Sequence, residues 1–404
     1  LENDFKTGVS LLKQGLPPGN ADILDRVSVG IRPFIGFLGE KYLREYISLG
    51  GSKIKFVTGR AGSGKTHFLQ LLSREAEGAG FKTVGFSAKD VWLHDFKSIY
   101  LEIMSRCDLP GCIKKCASQV IMELGYAESD IPSGMSFADY LSSIGELDAL
   151  TKKEIRNQLQ KMFLRNPLMD SNFAAACSLL AGGALGHPAL EDQNRELLML
   201  WLSGNKDVPL PEIRRLGLAP TRITKYNARH MLRSLAEVHS LAGCPGMLIT
   251  IDNVDILAYS SSMDTIRYTK MRRMDAYESI RELIDEIDTL RNIMFVFSFD
   301  RKLIDDELAG LKSYYALWAR IQNEIVSGKF NQFTDIIDLD ALGKLVYTKE
   351  AIVEMSARLA AAFGAANIIA RGISAEKAEE MISLAQFTGI SLPRQVVKEV
   401  LSGD

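Results

Sequence analysis

Gly59-Arg60-Ala61-Gly62-Ser63-Gly64-Lys65-Thr66 fits the pattern G-x-x-x-x-G-K-[ST] in full, and the apolar run Ile54-Lys55-Phe56-Val57 just before it predicts a strand. The stretch reads as a phosphate-binding loop. Gly59, Gly62 and Gly64 let successive backbone N–H groups turn inward around Ser63 and onto phosphate oxygens. Lys65 then reaches the β and γ oxygens of a nucleotide, and Thr66 offers a hydroxyl to Mg²⁺. The apolar-periodic stretch that follows, His67-Phe68-Leu69-Gln70-Leu71-Leu72, predicts a helix whose positive dipole end faces the same anion. A turn that merely joins a strand to a helix accounts for the glycines but not for the Lys-Thr pair.

Working outward, Gly78-Ala79-Gly80 stops the helix and Lys82–Ser87 predicts the next strand, so strand, loop, helix and strand form a unit of a parallel sheet. Residues 93–202 carry helical periodicity with breaks at Pro110-Gly111, Pro132-Ser133-Gly134 and Gly182-Gly183, which predicts a helical insertion over about 105–202. A helix over about 225–241 leads into Met247-Leu248-Ile249-Thr250-Ile251, a buried-strand pattern. After a helix over about 273–290, Ile293–Phe297 is a second such strand. The fold class is therefore α/β, a P-loop parallel sheet flanked by helices. The expected organisation is an N-terminal helical segment (1–48) packed in front of a nucleotide domain (49–344), and a C-terminal helical lid (345–404).

The second half of a nucleotide site calls for an apolar strand ending in an acid, and Asp252 is that acid, placed to hold Mg²⁺ with Thr66. Hydrolysing ATPases of this layout usually carry Glu next, to accept a proton from the attacking water. Here the next residue is Asn253, which orients water but takes no proton. Asp255 either substitutes for it or is a turn residue. Ser298 is expected to end its strand as a polar sensor of the γ-phosphate. Arg320 reads as an arginine finger for a neighbouring subunit's nucleotide or as a surface ion pair, and Arg394, after Pro393, as a residue that closes the lid on the phosphates. The segment Arg267-Tyr268-Thr269-Lys270-Met271-Arg272-Arg273 puts four cations in seven residues and reads as a loop for DNA phosphates or as a solvated face.

Lys+Arg and Asp+Glu nearly cancel at 48 against 50 in 404 residues, so any contact with nucleic acid has to come from a local patch. Cys107, Cys112, Cys116, Cys177 and Cys244 form no C-x-x-C pair, which points to reduced thiols in a cytoplasm; C-x4-C-x3-C at 107–116 reads as helix thiols or a zinc site. No window of about 18 uninterrupted apolar residues marks a membrane span. The start at Leu1 suggests a missing or processed N-terminus.

With these residues in place the chain resembles the P-loop ATP-binding proteins of bacteriophage-exclusion (BREX) defence systems, BrxD-like and more distantly BrxC-like. The likeness rests on Leu11–Pro17, the P-loop, Leu198–Asn205, Arg214–Leu218, Gly246-Met247-Leu248, Tyr277–Asp285 and Pro393-Arg394, in that order. The resemblance implies an AAA+-type fold and ATP binding by Gly62, Gly64, Lys65 and Thr66. It also implies Mg²⁺ at Asp252 and a role with other defence-system proteins on phage DNA. Asn253 departs from the Asp-Glu pair of that pattern. Three readings follow: a DNA-associated ATPase acting as a homo-oligomer on double-stranded DNA, a nucleotide-gated scaffold with little hydrolysis, and a transposition-type target-selection ATPase.

Overall fold

The computed structural model describes residues 2–14, 16–321, 335–388 and 391–402; Leu1 lies outside them. Five strands, β1 (Ser52–Gly59), β2 (Lys82–Ser87), β3 (Met247–Asp252), β4 (Ile293–Asp300) and β5 (Ile336–Asp338), form one sheet in the order β2-β3-β4-β1-β5. Every pairing is parallel. Such a sheet is covered on both faces, which is why β3 and β4 are continuous apolar runs rather than alternating ones.

Alternate side chains of β4 serve different cores. Phe295, Phe297 and Phe299 face a large core shared with the helical insertion, where the Phe56 and Phe297 rings stack at 5.6 Å. Met294 and Val296 join Val57 and Leu248 under the helix Lys65–Gly78. The insertion and the helix Ala228–Leu241 continue the first core without a gap: Cys116 and Val120 on Leu109–Glu123, Cys177 on Ser171–Leu185 and Leu232 are all fully buried. Asp95, Asp108, Asp148 and Asp170 each accept a backbone N–H at the start of a helix in or beside the insertion. Each such cap stabilises its helix by about 1 kcal/mol.

The two ends of the chain share a third core. Val9, Ile23 and Val27, from the helices Glu2–Lys13 and Ala21–Val27, pack with Ile352, Leu359 and Phe363 on Lys349–Ala365 and with Val396 and Val400 on Leu392–Ser402. The helix Arg32–Leu38 instead packs toward the loop-bearing helix, with Phe34 and Phe68 at 6.1 Å. Residues 2–38 therefore divide between the C-terminal helices and the sheet.

Two expectations are corrected, and one strand was unforeseen. β4 runs on to Asp300, so Ser298 lies inside the strand rather than at its end. Lys270–Arg273 is not loop but the first turn of the helix Lys270–Glu286, capped by the Thr269 hydroxyl. β5 has only three residues, too few to carry a periodic signal, and was not anticipated. The five thiols are free, and among the described residues no group of three or more His, Cys, Asp or Glu is placed to hold a metal. Burial pushes Cys107 and Cys116 up to about 12 and Cys112 up to about 11, which suits packed, unreactive thiols. Among the described residues no helix is long and apolar enough to cross a membrane.

Burial also pushes two imidazoles, His67 and His239, down from 6.5 to about 4. The unfolded chain takes up those protons first as the pH falls, so their contribution is complete above about 6.5 and is lost toward pH 4. The melting temperature is expected to fall by a few degrees or more across that window. A double His67→Gln, His239→Gln variant should show a shallower fall in calorimetry at pH 7, 5.5 and 4.5; an equal slope would assign the acid limb to other groups.

Candidate functional site

β1 delivers the chain into the turn Gly59–Gly64 and the helix Lys65–Gly78 leaves it, with Gly64 as N-cap at φ 89° and Gly62 at φ 85°, a left-handed region costly for residues with a Cβ. Space is as restrictive as torsion. A Cβ on Gly62 would lie 2.9 Å from the Cβ and Cδ of Arg394, and one on Gly59 would collide with Ser63 Oγ. The Lys65 ammonium donates to the carbonyls of Gly59 at 2.8 Å and Arg60 at 3.0 Å, so it lies along the loop's own backbone. Ser63 Oγ is buried and, among the described residues, has no hydrogen-bond partner.

β3 ends beside this loop. Thr66 Oγ1 donates to Asp252 Oδ2 at 2.5 Å, joining the loop helix to the strand tip across 186 residues of sequence. Asn253 follows at φ 58°, a torsion Asn tolerates better than most residues, and its Nδ2 donates to Ser87 Oγ at the end of β2, 3.1 Å away. The turn Val254–Leu257 then presents Asp255, whose Oδ1 accepts the Asp300 N–H at 3.0 Å. Asp300 stands at the tip of β4, in register with Gly59.

These groups line one end of a cavity of about 360 Å³: residues 61–66, Asp252, Asn253, Asp255, Asp300 and Arg394. Leu12, Val27, Val29, Tyr347, Met355, Leu359 and Val397 line it from both ends of the chain. His67 joins the two regions. Ser28 Oγ donates to the Leu24 carbonyl at 2.6 Å, so the His67 Nε2–H donates to Ser28 Oγ at 2.8 Å, and the lowered imidazole pKa keeps the ring neutral. The cavity has the size of a small-ligand site, with backbone donors and a cation at one end and an apolar wall for a flat heterocycle at the other. The unpartnered Ser63 hydroxyl and the glycine cradle suit phosphate oxygens. The Thr66–Asp252 pair is an oxygen donor set suited to Mg²⁺.

Gly59 closes β1 at the root of the loop, while Gly62, Ser63, Gly64, Lys65, Thr66, Asp252, Asn253 and Arg394 all border the cavity. Ser298 does not: it is fully buried within β4, and among the described residues its Oγ has no hydrogen-bond partner. Arg320 does not either; its Nε pairs with Asp285 and its Nη1 donates to the Ala316 carbonyl at 2.8 Å, the ion pair of the alternative reading. That cluster includes Glu278, which hydrogen bonding to Arg281 holds down at about 2. The 267–273 segment lies apart from the cavity lining. Arg272 sits 4.9 Å over the Trp92 ring, and Tyr268 Oη accepts the Leu93 N–H at 2.8 Å. Sequence reasoning missed Asp300 and His67. The Phe297-Ser298-Phe299 alternation carries β4 past the serine to Asp300, and following it would have found the acid.

A family model described as BREX system ATP-binding protein BrxC/D matches residues 5–403. No curated protein matches.

Proposed function

Because the chain belongs to the family of BREX system ATP-binding proteins BrxC/D, we propose that it is an ATP-gated switch of an anti-phage defence system, whose nucleotide state controls assembly with partner proteins on DNA. The backbone N–H groups of residues 62–65 and the Lys65 ammonium bind the phosphates, and Thr66 and Asp252 hold Mg²⁺, which neutralises phosphate charge when bound. Arg394, over Gly62, adds a cation from the last helix. The strand order β2-β3-β4-β1-β5 and the C-terminal helices support an AAA+-like reading with a lid.

The observation that carries the proposal is the make-up of the cavity, in which the P-loop faces an apolar wall drawn from residues 12–29 and 347–397. A nucleotide filling it touches the sheet and both chain termini at once, so its arrival and loss are felt by the terminal helices. Magnesium-ATP is expected to slow amide exchange over 349–363 and 392–400 by about tenfold or more, as burial of opening segments does. ADP should do so less. Exchange unchanged by saturating ATP would sink the gate.

Partner contact with DNA is assigned to the exposed cations Arg267, Lys270 and Arg272, and a homo-oligomer would give Arg320 a second role at a neighbour's site. The scaffold reading is favoured by one specific observation: Asn253 stands where a proton acceptor is usual and spends its amide on Ser87. The two readings differ in turnover, measured as phosphate release with and without double-stranded DNA.

A further inference from the structure

We propose that Asp255 is the carboxylate that takes the proton of the attacking water in ATP hydrolysis; the proposal rests on the reading of the cavity as an ATP site. Three carboxylates line the cavity among the described residues: Asp252, Asp255 and Asp300. Asp252 receives the Thr66 hydroxyl on Oδ2 and the Asn253 N–H on Oδ1, so both of its oxygens are already engaged. Asp300 Oδ1 accepts the Lys302 N–H at 3.1 Å, turning that side chain toward the helix Lys302–Asp305.

Asp255 is left with the geometry of a base. Its Oδ1 is fixed by the Asp300 N–H, and among the described residues its Oδ2 carries no hydrogen bond. Its neighbours Val254, Ile256 and Leu257 are each 1% exposed, so the turn that presents the carboxylate is anchored in the core on three sides. Position 253 is unsuited to the same work, since an amide accepts no proton in this range and the Asn253 amide is tied to Ser87.

In the step assigned, the water oxygen bonds to the γ-phosphorus and the bond from that phosphorus to the β–γ bridging oxygen breaks. The electron pair leaves on ADP, and the water proton passes to Asp255 Oδ2. Asp300 acts as a positioning residue through its backbone N–H, so its side chain is less critical than that of Asp255.

The test uses the full chain. Asp255→Asn preserves the shape and the Oδ1 acceptor for Asp300. Losing a general base is expected to lower kcat about 100-fold or more, while the dissociation constant of a fluorescent ATP analogue stays within about threefold. The nucleotide retained after incubation and desalting should change from ADP in the wild type to ATP in Asp255→Asn. Adding Asn253→Glu to Asp255→Asn should restore turnover about tenfold or more, which a misfolded variant cannot do. Retention of more than about a tenth of wild-type kcat by Asp255→Asn, or a loss confined to Asp300→Asn, overturns the assignment. A wild type that binds ATP but turns over no faster than Lys65→Ala also overturns it and leaves the ATP site standing, whereas absence of ATP binding removes the site itself.

Discussion

Lys65→Ala is expected to weaken ATP binding roughly 10- to 200-fold while the fold stays intact. The ammonium now donates to two loop carbonyls, Gly59 at 2.8 Å and Arg60 at 3.0 Å, and phosphate oxygens replace them as better, charged acceptors. A hydrogen bond involving charged groups contributes about 1.5–3 kcal/mol net, and about 1.4 kcal/mol is a factor of ten. Alanine is a good helix former at the first position of Lys65–Gly78, and Lys65 is only half-buried, so the truncation opens no core cavity. Titration calorimetry with Mg-ATP, beside a thermal melt of both proteins, separates the effects. Equal affinities at equal stability would mean that the triphosphate does not lie along this loop.

The same loop explains how much of the molecule was legible in the sequence. Local chemistry that needs particular residue types, such as the Gly62 and Gly64 torsions and the Lys-Thr pair, leaves a mark at fixed spacing and was readable. So were β3 and β4, because a strand buried on both faces must be apolar at nearly every position. Pairing that depends on three dimensions was not. Nothing near Val9 indicates that it will meet Phe363, yet both lie in one core and that core walls the cavity. Arg320 shows the reverse case: a lone arginine is compatible with many partners, and Asp285 on a neighbouring helix engages it here. Ser298 was misplaced by two residues because serine commonly marks a turn, while pairing with Val57 in β1 keeps it within the sheet.

Asn253→Glu is expected to raise steady-state turnover about 10- to 100-fold, at and below the lower end of the roughly 100- to 10,000-fold that a positioned general base supplies. The gain adds to what Asp255 provides, because a carboxylate at 253 follows Asp252 directly and reaches the phosphate end of the cavity from the strand tip. There is a cost. The residue sits at φ 58°, where a side chain other than Asn, Asp or Gly loses about 1–2 kcal/mol, and the bond to Ser87 Oγ, about 1 kcal/mol, is lost as well. A chain with ordinary stability of roughly 5–15 kcal/mol tolerates this, so the variant should melt lower yet fold. Asparagine at 253 thus suits the backbone as well as the proposed chemistry: it fits the torsion and holds β2 to the site, and in the proposed gate the lack of a carboxylate there would slow turnover and prolong the ATP state. Asn253→Ala separates these roles, because it frees Ser87 without adding a carboxylate. Equal acceleration in Asn253→Ala and Asn253→Glu would attribute the effect to a loosened turn and sink the base argument. No acceleration in either would move the slow step to product release.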